Sequence, residues 1–246
     1  MRIASSIVLA ALGLGFAGAA SAQDAQIAVA ANFTAAAEEL AAAFGAETGH
    51  EIGFSFGATG QLYAQITQGA PFDALLAADD ERPAMLVEEG LAEGDTLFTY
   101  AIGQLALFSI EPDRVTGPES LEGDFTQLAI AEPAAAPYGA AAVETIVALG
   151  LTEAVADRLV TGQNISQTYQ FIDTGNAELG FVALSQIIER EDGSRWIVDA
   201  DLYTPIAQDA VLVNADNDVA RAFLEFMQGE DGRAIIATYG YGFAGE

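Results

Sequence analysis

Short apolar runs alternate with longer segments of helical patterning along most of this 246-residue chain. The runs have four to eight residues and are rich in Ala, Val, Ile and Phe, as expected for buried strands. The first series predicts strands at 26–31, 51–56 and 72–77 and helices at 34–44, 61–68 and 82–89. Strands that alternate with helices indicate an α/β fold in which crossover helices flank mainly parallel sheets.

A second series lies between two longer apolar runs, at 99–110 and 202–213. It predicts strands at 128–131 and 179–183 and helices at 140–149, 152–159 and 166–173, and a last helix is predicted at 219–227. The two longer runs are candidates for strands that carry the chain between two lobes. We therefore expect one lobe from residues 23–100 and 206–246 and a second lobe from residues 101–205.

The first 22 residues have the layout of a secretory signal peptide. Arg2 is followed by an apolar run over residues 3–16 and then by Ala20-Ser21-Ala22, which suits cleavage after Ala22. A membrane span is the alternative, but serines and glycines interrupt the run, and a span needs roughly 18 strongly apolar residues. We therefore expect an exported protein with no direct membrane insertion.

The charge of the chain excludes several kinds of partner. The chain has 36 acidic residues against eight arginines, so its formal net charge is −28. Such a field repels nucleic acid and anionic membranes. The absence of cysteine and the presence of a single histidine argue against thiol nucleophiles and catalytic zinc. No motif marks a nucleophile with its base, so an exported hydrolase is the disfavoured rival and we expect no enzyme.

Four turns between a strand and a helix are the candidate binding elements. Each would leave backbone N–H groups free at the positive end of a helix, where anions bind. Asn32 and Thr59 add an amide and a hydroxyl, and no basic residue occurs in the turns. A set of donors suits a fully deprotonated tetrahedral dianion, whereas phosphate keeps a proton and needs an acceptor. Ordinary capped helices remain the alternative interpretation. The four turns are residues 31–34, 57–60, 137–140 and 162–166.

Several segments resemble the periplasmic molybdate-binding proteins of ATP-driven importers. The most specific is FSFGATGQLYAQITQGAPFDALLAADDERPAMLVEEG, at residues 54–90. The resemblance implies the two-lobed type II periplasmic-binding-protein fold, with each lobe a mixed, mainly parallel sheet flanked by helices and the ligand in the cleft. The other similar segments are VAANFTAAAEELAAAF at 29–44, IAEPAAAPYGAAAVETI at 130–146, ELGFVALSQI at 178–187 and EDGRAIIATYGYGF at 230–243.

The resemblance also implies which residues hold the ligand. Carried over to this sequence, these are Asn32, Thr59, the Tyr138 N–H group and the Ile165 N–H group. They would hold molybdenum or tungsten as the oxyanion and not as a bare cation. The ligand would be molybdate or tungstate, with sulfate or phosphate as the alternative, and no cofactor is implied.

Two positions depart from the pattern of the relatives. Ala183 lies in a strand where many relatives have a ligand-contacting tyrosine, a residue that the subgroup with Ala-Asn-Phe-Thr at the first turn is expected to lack. In that subgroup the residue before the Asn can add a hydroxyl, which Ala31 lacks, so one fewer side-chain donor is expected. The resemblance further implies a monomer in the periplasm that delivers its oxyanion to the membrane permease of an ABC importer.

Overall fold

The computed structural model describes residues 23–245, and the predicted signal peptide at 1–22 lies outside these described residues. Within them the chain forms ten strands and eight α-helices, joined by turns and short 3-10 helices. The strands are β1 (Ala25–Ala30), β2 (Ile52–Gly57), β3 (Ala74–Leu76), β4 (Glu93–Gly103), β5 (Leu105–Ser109), β6 (Leu128–Ala131), β7 (Leu159–Gly162), β8 (Leu179–Ala183), β9 (Ser194–Ile197) and β10 (Ile206–Leu212). The α-helices are α1 (Thr34–Thr48), α2 (Thr59–Thr67), α3 (Glu81–Glu88), α4 (Pro137–Ala148), α5 (Thr152–Val155), α6 (Ile165–Asp173), α7 (Asp218–Gln228) and α8 (Glu230–Thr238).

The strands form two sheets of five, which define two lobes. The first lobe has the order β2-β1-β3-β10-β4 and the second has the order β7-β6-β8-β5-β9. In the first sheet β1 pairs in parallel with β2 and β3, and β10 runs antiparallel to β3 and β4. In the second sheet β6 pairs in parallel with β7 and β8, and β5 runs antiparallel to β8 and β9. Each sheet is therefore mixed, with two parallel and two antiparallel pairings. The antiparallel pairings arise because β10 and β5, the first strands after the two crossings, run opposite to their neighbours.

Each lobe buries both faces of its sheet under helices. The central strands β1, β3, β6 and β8 are almost entirely buried, as continuous apolar runs predict for strands covered on two sides. Helices α1, α7 and α8 pack on one face of the first sheet, and α2 and α3 pack on the other. The second sheet is covered by α4 on one face and α6 on the other.

The chain passes between the lobes at two places that the sequence analysis selected. The long run at 99–110 is two strands, because β4 ends the first-lobe segment at Gly103 and β5 begins the second-lobe segment at Leu105. The return lies between Leu202 and Ile206, where β10 rejoins the first sheet. Tyr203 ties the two crossings together, since its hydroxyl accepts a hydrogen bond from the Leu105 N–H group at 3.3 Å.

Three local predictions differ from the structure. The predicted helix at 152–159 ends as an α-helix at Val155, and Leu159–Gly162 is instead the edge strand β7, which pairs with β6. The short strand β9 and the terminal helix α8 were not predicted. No helix within residues 23–245 has the length and apolar character needed to cross a membrane.

Candidate anion-binding site

Four helix starts meet at one small cavity between the lobes. Asn32 follows β1, and Thr59 opens α2 directly after β2. Tyr138 lies in the first turn of α4 and Ile165 opens α6, both in the second lobe. All four predicted residues line the cavity, whose volume is about 10 Å³, far below the roughly 300–1,000 Å³ of sites for drug-sized ligands. The remaining lining residues are uncharged as well: Ala30, Ala31, Gly57, Ala58, Ala78, Ala136 and Pro137.

The backbone N–H groups at these helix starts are donors without helical partners. Thr59 and Ile165 are the first residues of α2 and α6, and Tyr138 is the second residue of α4. N–H groups in the first turn have no acceptor within their own helix. The backbone–backbone hydrogen bonds of turns and loops in residues 23–245 do not use these three groups either. Together with the helix dipoles, they make the cavity a site for negative charge.

The Thr59 side chain has a hydroxyl hydrogen to give to a ligand. Its Oγ1 accepts a hydrogen bond from the Ala78 N–H group at 2.9 Å, and the residue is 1% exposed. This bond uses the hydroxyl as an acceptor and fixes its position, so the O–H group keeps its donor function. The sequence-based expectation of a hydroxyl donor at the second turn therefore has the geometry it needs.

The Asn32 side chain has hydrogen-bond partners within the protein. Its Nδ2 donates to Gln208 Oε1 at 2.6 Å and to the Tyr241 hydroxyl at 3.0 Å. Both amide hydrogens are therefore used by partners in β10 and in the C-terminal segment. The Tyr241 hydroxyl also donates to the Asn32 carbonyl oxygen at 2.9 Å. The buried side chain therefore connects the first turn to β10 and to the C-terminal segment.

The Tyr138 side chain extends toward the region between the lobes, where its hydroxyl lies beside Gly103. Its hydroxyl and the Gln208 Nε2 are buried without a hydrogen-bond partner among the described residues. A Cβ at Gly103 would overlap this hydroxyl, so glycine is needed where β4 leaves the first lobe. Burial raises the pKa of Tyr138 well above its ordinary value, and the phenol stays neutral. The backbone of Tyr138, and not its ring, faces the cavity chemistry.

Two hydrogen bonds close one side of the cavity, and sequence reasoning did not find them. Arg82 in α3 donates from Nη2 to the Ala134 carbonyl oxygen of the second lobe at 3.0 Å. The Gly60 N–H group in α2 donates to the carbonyl oxygen of the next residue, Ala135, at 2.9 Å. No basic residue occurs in the four turns, but the side chain of Arg82 extends from α3 to the edge of the cavity. The sequence signal that could have indicated this arginine is the spacing of three residues between Asp79 and Arg82 at the start of α3, which allows the two side chains to pair.

Two serines of the second lobe close the opposite side. Ser166 Oγ donates to the Ala31 carbonyl oxygen at 3.2 Å, and Ser185 Oγ donates to the Asn32 carbonyl oxygen at 2.9 Å. Both acceptors belong to the first turn. Ala183 ends β8 as a fully buried residue and is not part of the cavity lining.

The outer cleft next to the cavity is acidic. Asp79, Asp80, Glu81 and Glu144 line it together with Arg82. Burial raises the pKa of Asp79 above its ordinary value, although hydrogen bonds from Arg82 and its charge oppose the shift. Asp79, Asp80 and Glu81 lie at the start of α3. Within residues 23–245 no cluster of three or more metal-ligating side chains occurs.

Two α/β lobes, joined by two crossings and closed around a small cavity lined by helix starts, define a bacterial solute-binding protein. A profile described as "Bacterial extracellular solute-binding protein" matches residues 25–242. The molybdate-binding protein ModA of Rhodobacter capsulatus is 50% identical over 234 residues, which are 94% of this chain and 93% of that protein. ModA of Azotobacter vinelandii is 47% identical over 250 residues, which are 98% and 99% of the two chains.

Solved structures agree with this comparison. The periplasmic molybdate-binding protein of Azotobacter vinelandii superposes with a TM-score of 0.86 at 37% identity and covers 89% of this chain and 99% of that one. The sulfate-binding protein SubI of Mycobacterium tuberculosis shares the fold, with a TM-score of 0.71 at 14% identity, 88% of this chain and 85% of that one being covered. The chain therefore belongs to the bacterial extracellular solute-binding proteins and, within them, to the family of the molybdate-binding proteins.

Proposed function

We propose that the protein captures molybdate or tungstate outside the cytoplasm and delivers it to the membrane permease of an ABC importer. The observation that carries the proposal is the convergence of four helix starts, two from each lobe, on one cavity with an uncharged lining. The donors are the backbone N–H groups of Asn32, Thr59, Tyr138 and Ile165, together with the Thr59 hydroxyl. They hold the metal as an oxyanion, and no further cofactor is needed.

The donor set accounts for the choice of ligand. A carboxylate that could accept a proton from hydrogen phosphate is missing from the cavity lining. Molybdate, tungstate and sulfate are fully deprotonated near neutral pH and offer acceptors only. Sulfate is smaller than molybdate and tungstate, so we propose that the cavity distinguishes sulfate from the other two by size. In a close-packed cavity, an ion binds well only if its oxygens reach the fixed donors.

We also propose the biological setting that the family implies. The signal peptide at 1–22 is removed by cleavage after Ala22. The mature chain then acts as a monomeric periplasmic binding protein and catalyses no reaction. Its first lobe comprises approximately residues 23–100 and 206–246 and its second approximately residues 101–205, with β4 extending the first segment to Gly103. The crossings after Gly103 and Leu202 support this division. Delivery requires that the lobes open at the permease and release the anion.

Calorimetric titration of the desalted mature protein tests the proposal. We expect one-to-one binding of molybdate and tungstate, and little heat with sulfate or phosphate. Equal binding of sulfate would favour a general carrier of tetrahedral dianions. Binding of phosphate in preference to molybdate would contradict the argument from donors, and no heat with any of the four anions would refute the proposed ligand class.

A further inference from the structure

Arg82 joins three elements at the rim of the cavity. Its Nη1 bonds Asp79 Oδ2 at 2.5 Å, and its backbone N–H donates to Asp79 Oδ1 at 2.9 Å. The guanidinium is thereby held in one orientation, with Nη2 directed across the cleft to the Ala134 carbonyl oxygen at 3.0 Å. An arginine that is anchored by a carboxylate within its own lobe loses less side-chain freedom when it forms a bond to the other lobe.

Gly60 strengthens the same closure from α2. Its N–H group donates to the Ala135 carbonyl oxygen at 2.9 Å. A Cβ at Gly60 would lie 3.1 Å from the Ala135 Cα and 3.3 Å from the Arg82 Nε, closer than ordinary van der Waals contact. Glycine therefore permits the approach of the two lobes. The bonded residues 134 and 135 directly precede the start of α4, so these bonds also fix the helix that presents the Tyr138 N–H group.

From these contacts we propose that Asp79, Arg82 and Gly60 form a closing clasp, which holds the second lobe over the bound anion and sets how slowly the anion is released. The identity of the anion rests on the proposed function, but the clasp itself is a contact between lobes. The alternative role for Arg82 is simple attraction of an anion by positive charge. The ion pair with Asp79 separates the two roles, because it cancels the charge of Arg82 while supporting its geometry.

The clasp acts on dissociation more than on association. An open protein has not formed the bonds to Ala134 and Ala135, so their loss leaves the first encounter with the anion unchanged. Release requires the lobes to part, and a missing charge-assisted hydrogen bond makes parting easier. Because the bond lies near solvent, we expect roughly 3- to 10-fold faster dissociation when it is removed.

The test compares three single variants by chase of radiolabelled molybdate from preloaded protein with excess unlabelled molybdate. Arg82→Met removes the donor, and Asp79→Asn removes its anchor. Arg221→Met is the matched control, because Arg221 lies in the same lobe and only approaches Asp95 at 3.9 Å. The clasp predicts faster release for Arg82→Met and for Asp79→Asn, with the control unchanged. Slower release from Asp79→Asn, as expected if a repelling carboxylate were simply removed, would overturn the clasp.

A ligand-free arm keeps the clasp testable apart from the ligand. The chain has no cysteine, so Leu91→Cys and Val147→Cys, at exposed positions of the two lobes, accept spin labels specifically. The ligand-free protein exchanges between open and closed forms, and the clasp bonds exist only in the closed form. In this background Gly60→Ala and Arg82→Met should therefore each reduce the closed population and lengthen the mean distance between labels, while thermal unfolding shows that Gly60→Ala stays folded. An unchanged distance in both variants would refute the clasp. If the wild-type protein retained no molybdate, the proposed function would fail, and the distance measurement would still decide this inference.

Discussion

Replacing Thr59 by valine separates the two functions of one buried hydroxyl. Valine keeps the branched shape of threonine and removes only the oxygen, so the packing at the start of α2 is retained. The change deletes the O–H donor at the cavity. It also leaves the Ala78 N–H group, now bonded to Thr59 Oγ1 at 2.9 Å, without an acceptor in a buried place. One substitution therefore affects both ligand binding and the stability of the free protein.

The two effects have different magnitudes and different readouts. A hydrogen bond to a charged group contributes about 1.5–3 kcal/mol, so the loss of the donor should weaken molybdate binding roughly 10- to 150-fold. A buried N–H group without an acceptor costs about 1–3 kcal/mol, which should appear in the free energy of unfolding without ligand. Calorimetric titration measures the first quantity, and urea denaturation measures the second.

Two control variants test the reasoning behind these numbers. Thr59→Ser keeps the hydroxyl and should retain affinity within a few-fold. Thr145→Val removes another fully buried hydroxyl, which donates to the Ala141 carbonyl oxygen at 2.8 Å within α4 and does not line the cavity, so it should leave affinity unchanged. If Thr59→Val bound molybdate as tightly as Thr59→Ser, the hydroxyl would not be a ligand donor and the assignment at the second turn would be refuted.

Three further predictions follow from other parts of the structure. A Cβ at Gly139 would overlap the Ala131 carbonyl oxygen, so Gly139→Ala should lower the unfolding free energy by about 1–3 kcal/mol, although alanine normally favours a helix by about 1 kcal/mol; a higher melting temperature would contradict this. Partial burial pushes the pKa of Glu178 up, but hydrogen bonds from the Gln127 and Thr126 N–H groups outweigh it and hold the pKa below its ordinary value of 4.5. The carboxylate thus stabilises the fold above that value and ceases to do so as the pH falls through its lowered pKa, so Glu178→Gln should melt earlier than the wild type near neutral pH and equally in strong acid; a gap that is independent of pH would count against it. Finally, the net charge of −28 repels a dianion at long range, so stopped-flow association rates should rise with added salt, and a falling rate would show local attraction to dominate.

The elements that the sequence predicted well are those whose pattern is local. The strands at 128–131 and 179–183 match β6 and β8 at both ends, because short, fully buried runs between turn residues leave few alternatives. The run at 99–110 was read as one strand, since its apolar character continues across Gln104, where the chain changes sheets. The edge strand β7 has only four residues, too few to show a clear period, and its identity depends on pairing with β6, which no local pattern encodes.

The candidate site shows the same division between local and long-range information. The strand–turn–helix pattern located the four turns, because a helix start after a strand can be read from neighbouring residues. The family resemblance then selected one residue in each turn, and all four of these residues line the cavity. The direction of the Asn32 amide could not be read in this way, since its partners Gln208 and Tyr241 are 176 and 209 residues away. Arg82 was missed for a related reason: its own helix is acidic, and its acceptor, Ala134, lies 52 residues further along the chain.

A site without a cation is a coherent solution for this acidic protein. Each helix start carries roughly half a positive charge, so four of them supply about two, which matches a dianion without a mobile side chain. The match exists only when both lobes meet, because each lobe brings two of the four. An arginine inside the cavity would attract any anion to the open form, including singly charged ions. With its arginine outside the cavity and neutralised by Asp79, the protein links charge recognition to closure, and selection is made when the lobes come together.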